Sequence, residues 1–185
     1  MRVSRPKGLI SVMKPQLLVM LVVLVWALSS TLPAVAADNQ SKVPPELRVG
    51  DGYTRVLETT GRGIQTYDCV SSAWKFREPT AAIYDIASGE ITALHYVGPT
   101  WQSTVDGSKV VAAVDARLDA PNPQKDIQWL RLQATGNTGP GVFADVKFVQ
   151  RLNTAGGVAP VGACTTGQSV SVPYKATYAF WAPTQ

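Results

Sequence analysis

The chain has 185 residues, 45% of them hydrophobic and 16% charged, with 17 basic and 13 acidic side chains and a formal net charge of +4. Four of the bases, Arg2, Arg5, Lys7 and Lys14, precede one apolar run, so the remainder is neutral and lacks the basic face that nucleic-acid phosphates require. That class is excluded. With two cysteines and one histidine, a four-ligand zinc site is excluded as well, and no cofactor is expected.

Leu17 to Leu28 (LLVMLVVLVWAL) is the apolar run, and small residues follow it with an Ala34-x-Ala36 pattern and Ala37 behind. A basic start, a short apolar core and small residues at a cut site make a secretory signal peptide over residues 1–37, cleaved after Ala36 or Ala37. A membrane anchor is the alternative, but a span needs about 20 apolar residues and this core is shorter. The chain is therefore expected to meet the membrane only in transit and to end up secreted or periplasmic. Removing 37 of 185 residues leaves 148, with 13 bases and 13 acids, a single-domain length. A domain of that size buries about 70% of its unfolded surface and needs no staple to fold. Cys69 and Cys164 are nonetheless expected to pair, as an even count does in an exported protein. Two free buried thiols are the alternative.

Residues 38–55 are polar and contain Pro44-Pro45, which reads as an extended lead-in; Asn39-Gln40-Ser41 fits an N-glycosylation sequon. Residues 56–185 then read as one all-β domain. Val56 to Thr60 is a short strand closed by a turn at Gly61-Arg62-Gly63. Ile64 to Val70, Ala73 to Arg77 and Thr80 to Ile86 follow, with Pro79 as punctuation. Ile91 to Val97, Trp101 to Val105 and Lys109 to Ala116 come next, the last two joined by a turn at Asp106-Gly107. Pro121 and Pro123 mark a loop. Ile127 to Ala134 is a strand, and Val142, Ala144, Val146 and Phe148 alternate on one face of another. Asn153 to Gly167 is a long Gly-rich loop. In the final strand Val170, Val172, Tyr174, Ala176, Tyr178 and Phe180 share a face opposite Ser171, Lys175 and Thr177. Period-two patterning without a helix of ten residues predicts an antiparallel β-sandwich or flattened barrel of about eight to ten short strands.

Several segments belong together: Gly61-x-Gly63-x-Gln65-x-Tyr67-x-Cys69, Trp74, Pro79-x-Ala81, His95-Tyr96-x-Gly98-Pro99-x-Trp101, and Asp106-Gly107-Ser108. Ile127-x-Trp129-Leu130, Gln150-Arg151-x-Asn153-Thr154-x-Gly156-Gly157-x-Ala159-Pro160, Cys164 and Tyr174-x-Ala176-x-Tyr178-x-Phe180 complete the set. Over Val56 to Phe180 the chain resembles the domain-of-unknown-function family 3455, found in exported bacterial and fungal proteins. The resemblance implies export and a single domain; it implies no reaction.

His95, on a strand face with Ile91, Ala93 and Val97, has two readings. It is a packed histidine bonded to a backbone carbonyl, or a general acid–base whose tautomer a carboxylate fixes, with Asp106, Glu90 and Asp85 nearest in sequence. Trp74, Trp101 and Trp129, with Tyr67, Tyr84 and Tyr96, either fill a core or floor a concave pocket. In the second case His95, Trp101, Asp106, Arg151 and Asn153 would orient a small molecule or glycan. Three functions follow: non-covalent binding of a small ligand or surface component, acid–base catalysis by His95 with Asp106, or a structural or stress-related secreted protein.

Overall fold

The computed structural model describes Met1 and residues 40–185; the expected signal peptide over residues 1–37 lies outside the described residues apart from Met1. Eight strands follow in order: β1 Tyr53–Val70, β2 Ala73–Asp85, β3 Ile91–Tyr96, β4 Thr100–Ser103, β5 Lys109–Leu118, β6 Trp129–Thr138, β7 Phe148–Gly156 and β8 Ser169–Pro183. Each is antiparallel to the next, and β1 also pairs with β8, closing the sheet into a barrel. The all-β expectation holds, in its barrel form.

The expected strand breaks near the start of the chain are absent. β1 runs unbroken through 18 residues, and Gly61 and Gly63 lie inside it rather than in a turn. Glycine within a strand marks a close approach of something else. A Cβ at Gly61 would overlap the Tyr178 ring, and one at Gly63 would come within 2.5 Å of Ala81 Cα. Pro79 likewise sits inside β2, opposite Gln65. The register of β1 on β2 shifts between Thr66 and Tyr67, the kind of bulge at which a strand tolerates proline.

A second correction concerns Val142 to Phe148. The alternation there imitates a strand, but residues 141–147 cross one end of the barrel as a turn. Phe143 and Val146 are fully buried. Their carbonyls accept from the Asn137 side-chain amide at 2.7 and 3.1 Å. Phe148, which opens β7, lies outside the barrel, edge-on to Tyr53.

The third concerns residues 38–55. From Gln40 onward this segment packs, with two 3-10 turns, Gln40–Lys42 and Pro45–Leu47, ahead of β1. It covers the outward side of β8, where Ala179 and Trp181 are buried with Val49. Gln150 fastens it: its amide donates to Leu47 O at 2.6 Å and its carbonyl accepts from Trp181 Nε1 at 2.9 Å. The outward face of β8 near its end is therefore dry, in keeping with the unbroken apolar run from Tyr178 to Ala182.

Cys69 and Cys164 form the expected disulfide, across a separation of 95 residues. By closing so long a loop it restricts the unfolded chain, an effect worth about 2–5 kcal/mol. Cys164→Ser should lower the free energy of urea unfolding by that amount. Gly63→Ala, which meets the β2 backbone, is expected to cost about 1–3 kcal/mol. Gly136→Ala, with open space around it, should be neutral or stabilise by up to about 1 kcal/mol.

Candidate functional site

His95 and Trp101 are direct cross-strand partners on β3 and β4, so both side chains point to the same, inner face. Their rings stack at 4.3 Å and 9°, and Tyr178 from β8 meets both edge-on at 5.4 and 5.6 Å. Trp101 then contacts Phe180 at 5.9 Å, and Phe180 contacts Phe143 at 4.9 Å. These rings fill the end of the barrel that residues 141–147 cross. On the other side of Trp101 and Tyr178 lies a cavity of about 680 Å³. An eight-stranded barrel has an interior just wide enough for side chains or for one small ligand. Here it divides between the two.

Two buried polar groups on the cavity wall are unpaired. Trp101 is 1% exposed and Gln65 is 2% exposed, and neither Trp101 Nε1 nor Gln65 Nε2 has a hydrogen-bond partner in the protein. The Gln65 amide acts on the Tyr174 hydroxyl, but Nε2 does not reach a hydrogen bond with it. Tyr174 and Tyr178 share a hydrogen bond at 3.0 Å, and the Tyr67 hydroxyl donates to Gly157 O at 2.6 Å. Burial raises the pKa of all three tyrosines. Arg151 enters from β7 beside Tyr178, its cross-strand partner, and donates through Nε and one Nη to Gln128 O at 3.2 and 2.9 Å.

His95 is held neutral. Its Nδ1 lies 2.9 Å from Thr100 O, and a carbonyl only accepts, so Nδ1 carries the proton and Nε2 is a bare acceptor. Burial lowers the pKa to about 4, the Thr100 carbonyl raises it and the Arg151 charge lowers it. A general base of this kind needs a carboxylate to fix and stabilise its charged form; none among the described residues bonds His95.

The mouth is closed on one side by the loop after β7. Val158 and Ala159 line the cavity, and the disulfide at Cys164 ties this loop to β1. Backbone bonds from Cys69 N to Gln168 O and from Gly167 N to Cys69 O, at 2.8 and 3.2 Å, reinforce it. Asp126, whose carboxylate accepts from Gly156 N at 2.8 Å, stands beside this loop, and Asp119, which accepts from Gln128 Nε2 at 2.9 Å, also lines the cavity.

The family model for the protein of unknown function DUF3455 matches residues 50–182. The chain belongs to DUF3455. Comparison with curated proteins and with solved structures finds no match. The matched span of this DUF3455 protein includes every cavity residue named above.

The DUF3455 barrel brings together three of the five residues expected to form a site: His95, Trp101 and Arg151 line the cavity. Asp106 does not. It sits in the turn at the far end of β4, four residues or roughly 13 Å of strand from the Gly98-Pro99 turn at the mouth. There its carboxylate accepts from the Ser108 hydroxyl and amide at 2.6 and 2.9 Å and from Val142 N at 3.0 Å. Ser108 Oγ in turn accepts from Phe143 N at 3.1 Å. These donors, the Ser108 hydroxyl first, lower the Asp106 pKa to about 2. Asp106 is thus a fastener for the closed end, and its expected partnership with His95 is not formed. Glu90 and Asp85 are no substitute, since Asp85 binds the amides of its own turn, Ala87 and Ser88.

Asn153 is also displaced. Strand parity would point it inward with Arg151, but the β7–β8 register slips between Leu152 and Ala155 and Asn153 has φ 49°. Its side chain is exposed and bonds Thr177 Oγ1. Of the aromatic set, Tyr67 and Trp101 line the cavity while Trp74, Trp129, Tyr84 and Tyr96 do not. The residues missed were Gln65, Tyr178 and Gln128. Gln65 had a signal: it alternates with Gly63 and Tyr67, so it shares their buried face. No cluster of three His, Cys, Asp or Glu side chains suited to a metal occurs among the described residues.

The His95 environment sets a pH dependence. An unfolded histidine titrates near 6.5 and the folded one near 4, so between those values the unfolded chain binds more protons and stability falls on acidification. The stabilisation is complete above about pH 6.5 and is lost towards pH 4, a change of roughly 3 kcal/mol. Urea unfolding at pH 4.5 and 7.5 should show that loss in the parent, and His95→Gln should remove that share of it.

Proposed function

We propose that this DUF3455 protein binds a small ligand non-covalently in the open end of its barrel, outside the cytoplasm. The observation that carries the reading is the pair of buried donors, Trp101 Nε1 and Gln65 Nε2, on the wall of a 680 Å³ cavity without acceptors in the protein. A buried donor without an acceptor costs about 1–3 kcal/mol, a cost that a ligand with an acceptor relieves. Ligand sites commonly measure about 300–1,000 Å³, with apolar walls and a few polar groups that fix orientation. The wall supplied by Trp101, Pro99, Leu130, Val158 and Tyr67 suits a small amphipathic molecule or a sugar. Export is supported by the signal-like N-terminus together with the Cys69–Cys164 bond, which persists in oxidising compartments.

Acid–base catalysis is the weaker reading, because His95 is neutral and without a carboxylate partner among the described residues. A purely structural role leaves the two orphaned donors without an account.

Native mass spectrometry of protein from its own host, followed by thermal-shift screening of amphiphiles and glycans, tests the proposal. A ligand present at a hundred times its Kd should stabilise by about 2.7 kcal/mol. Trp101→Phe, which keeps an aromatic ring, though a smaller one, and removes the donor, should weaken binding about ten-fold. Protein that carries no ligand and that no compound stabilises would refute the proposal.

A further inference from the structure

We infer that the ligand of this cavity is an organic acid, an apolar body with a carboxylate head that Arg151 receives; the inference rests on the cavity being a ligand site. Three kinds of observation point the same way. First, the two orphaned groups on the wall, Trp101 Nε1 and Gln65 Nε2, are both donors. The tyrosine hydroxyls are already engaged with one another or with Gly157 O. The site therefore asks its occupant for acceptors.

Secondly, Arg151 is a half-buried cation with no ion pair among the described residues. The ion pairs present are Arg55–Glu58, Arg77–Asp68, Arg77–Glu78 and Arg131–Asp115. Among the described residues Arg151 donates only to neutral oxygens, the Gln128 carbonyl and the Tyr178 hydroxyl. Its strand pairing with Leu130 and Tyr178 places it on the inner face, and it lines the cavity. A guanidinium presents five donors in a fork that matches a carboxylate in two parallel bonds. Leaving such a charge half-buried and unpaired is unfavourable.

Thirdly, neither acid on the same wall forms an ion pair with it. Asp126 is committed to Gly156 N and Asp119 to Gln128 Nε2. The Arg151 charge instead acts on His95, Tyr67, Tyr174 and Tyr178, none of which is negative at neutral pH. Arg77 and Arg117 line the same cavity, so three guanidinium groups stand there against two carboxylates before any ligand arrives. His95 Nε2, the bare acceptor, would take a hydroxyl or protonated nitrogen on the same molecule.

The test uses matched pairs: phenylacetate, 3-phenylpropionate and octanoate, each beside its primary amide, titrated by calorimetry against the full-length exported protein at two salt concentrations. At least one acid should bind about ten-fold or more tightly than its amide, and the preference should shrink at high salt. Arg151→Gln should bring acid and amide to equal affinity. Arg151→Lys, which keeps the charge and loses the fork, should retain a reduced preference, and serves if the glutamine variant does not fold. Equal binding of acid and amide by the parent protein would overturn the inference and leave the cavity reading standing. Failure of all three acids, with stabilisation by a neutral amphiphile or glycan, would do the same. Failure of every compound would remove both.

Discussion

Tyr178 lies across a wall from which side chains have been removed. Gly61 leaves the space its ring occupies, and Gly63 lets β1 come against Ala81 on β2. Each buried aromatic removes about 150–250 Å² from water, so the seating of this ring is a large favourable contribution that depends on the absence of a Cβ at Gly61. The remaining arrangement follows from it. With Tyr178 seated, Trp101 and His95 stack against its edge, Phe180 and Phe143 complete the filling, and the unfilled remainder becomes the cavity. A larger residue at position 61 would push the aromatic group into the space now left open.

The electrostatics of the site follow from how little of it can change charge. His95 is held neutral by burial, and burial pushes the tyrosines further from ionisation. What remains is Arg151, with Arg77 and Arg117 on the same wall, and a set of donors. Acid–base chemistry needs a group that exchanges protons near the working pH; recognition needs groups that stay as they are. The cavity is built of the second kind.

The period of most strands was legible, and with it the all-β class, because alternation in segments such as Val170 to Phe180 has one physical cause; β7 was not, its place being read as the end of a strand at Phe148 and a loop from Asn153. Closure was not, since the pairing of β1 with β8 leaves no mark on either strand alone. The glycines were misread for a definite reason: Gly61-Arg62-Gly63 has the composition of a turn, and only the ring arriving from β8 shows why a strand keeps glycine there. Pro79 was misread in the same way. In the site, His95, Trp101 and Arg151 were legible as unusual side chains on inward faces. Asp106 was grouped with His95 because it is near in sequence. Asn153 was grouped with Arg151 because it opens the expected Gly-rich loop beside it, whereas it lies within β7 at a register slip after Leu152 that turns its side chain outward. Gln65 was passed over because a glutamine between a glycine and a tyrosine carries no chemical signature until burial deprives its amide of an acceptor.

The brevity of β4 has a wider consequence. Four residues separate a turn that frames the opening from a turn that seals the base, and up-and-down strands repeat that alternation around the barrel. Consecutive turns belong to opposite poles, so the segments that cooperate at either pole are second neighbours along the chain. Insertions between Val97 and Pro99 would reshape the aperture while leaving the seal at Asp106 intact, and the reverse holds for residues 104 to 107. The two poles can therefore change independently, one under the demands of recognition and the other under those of folding.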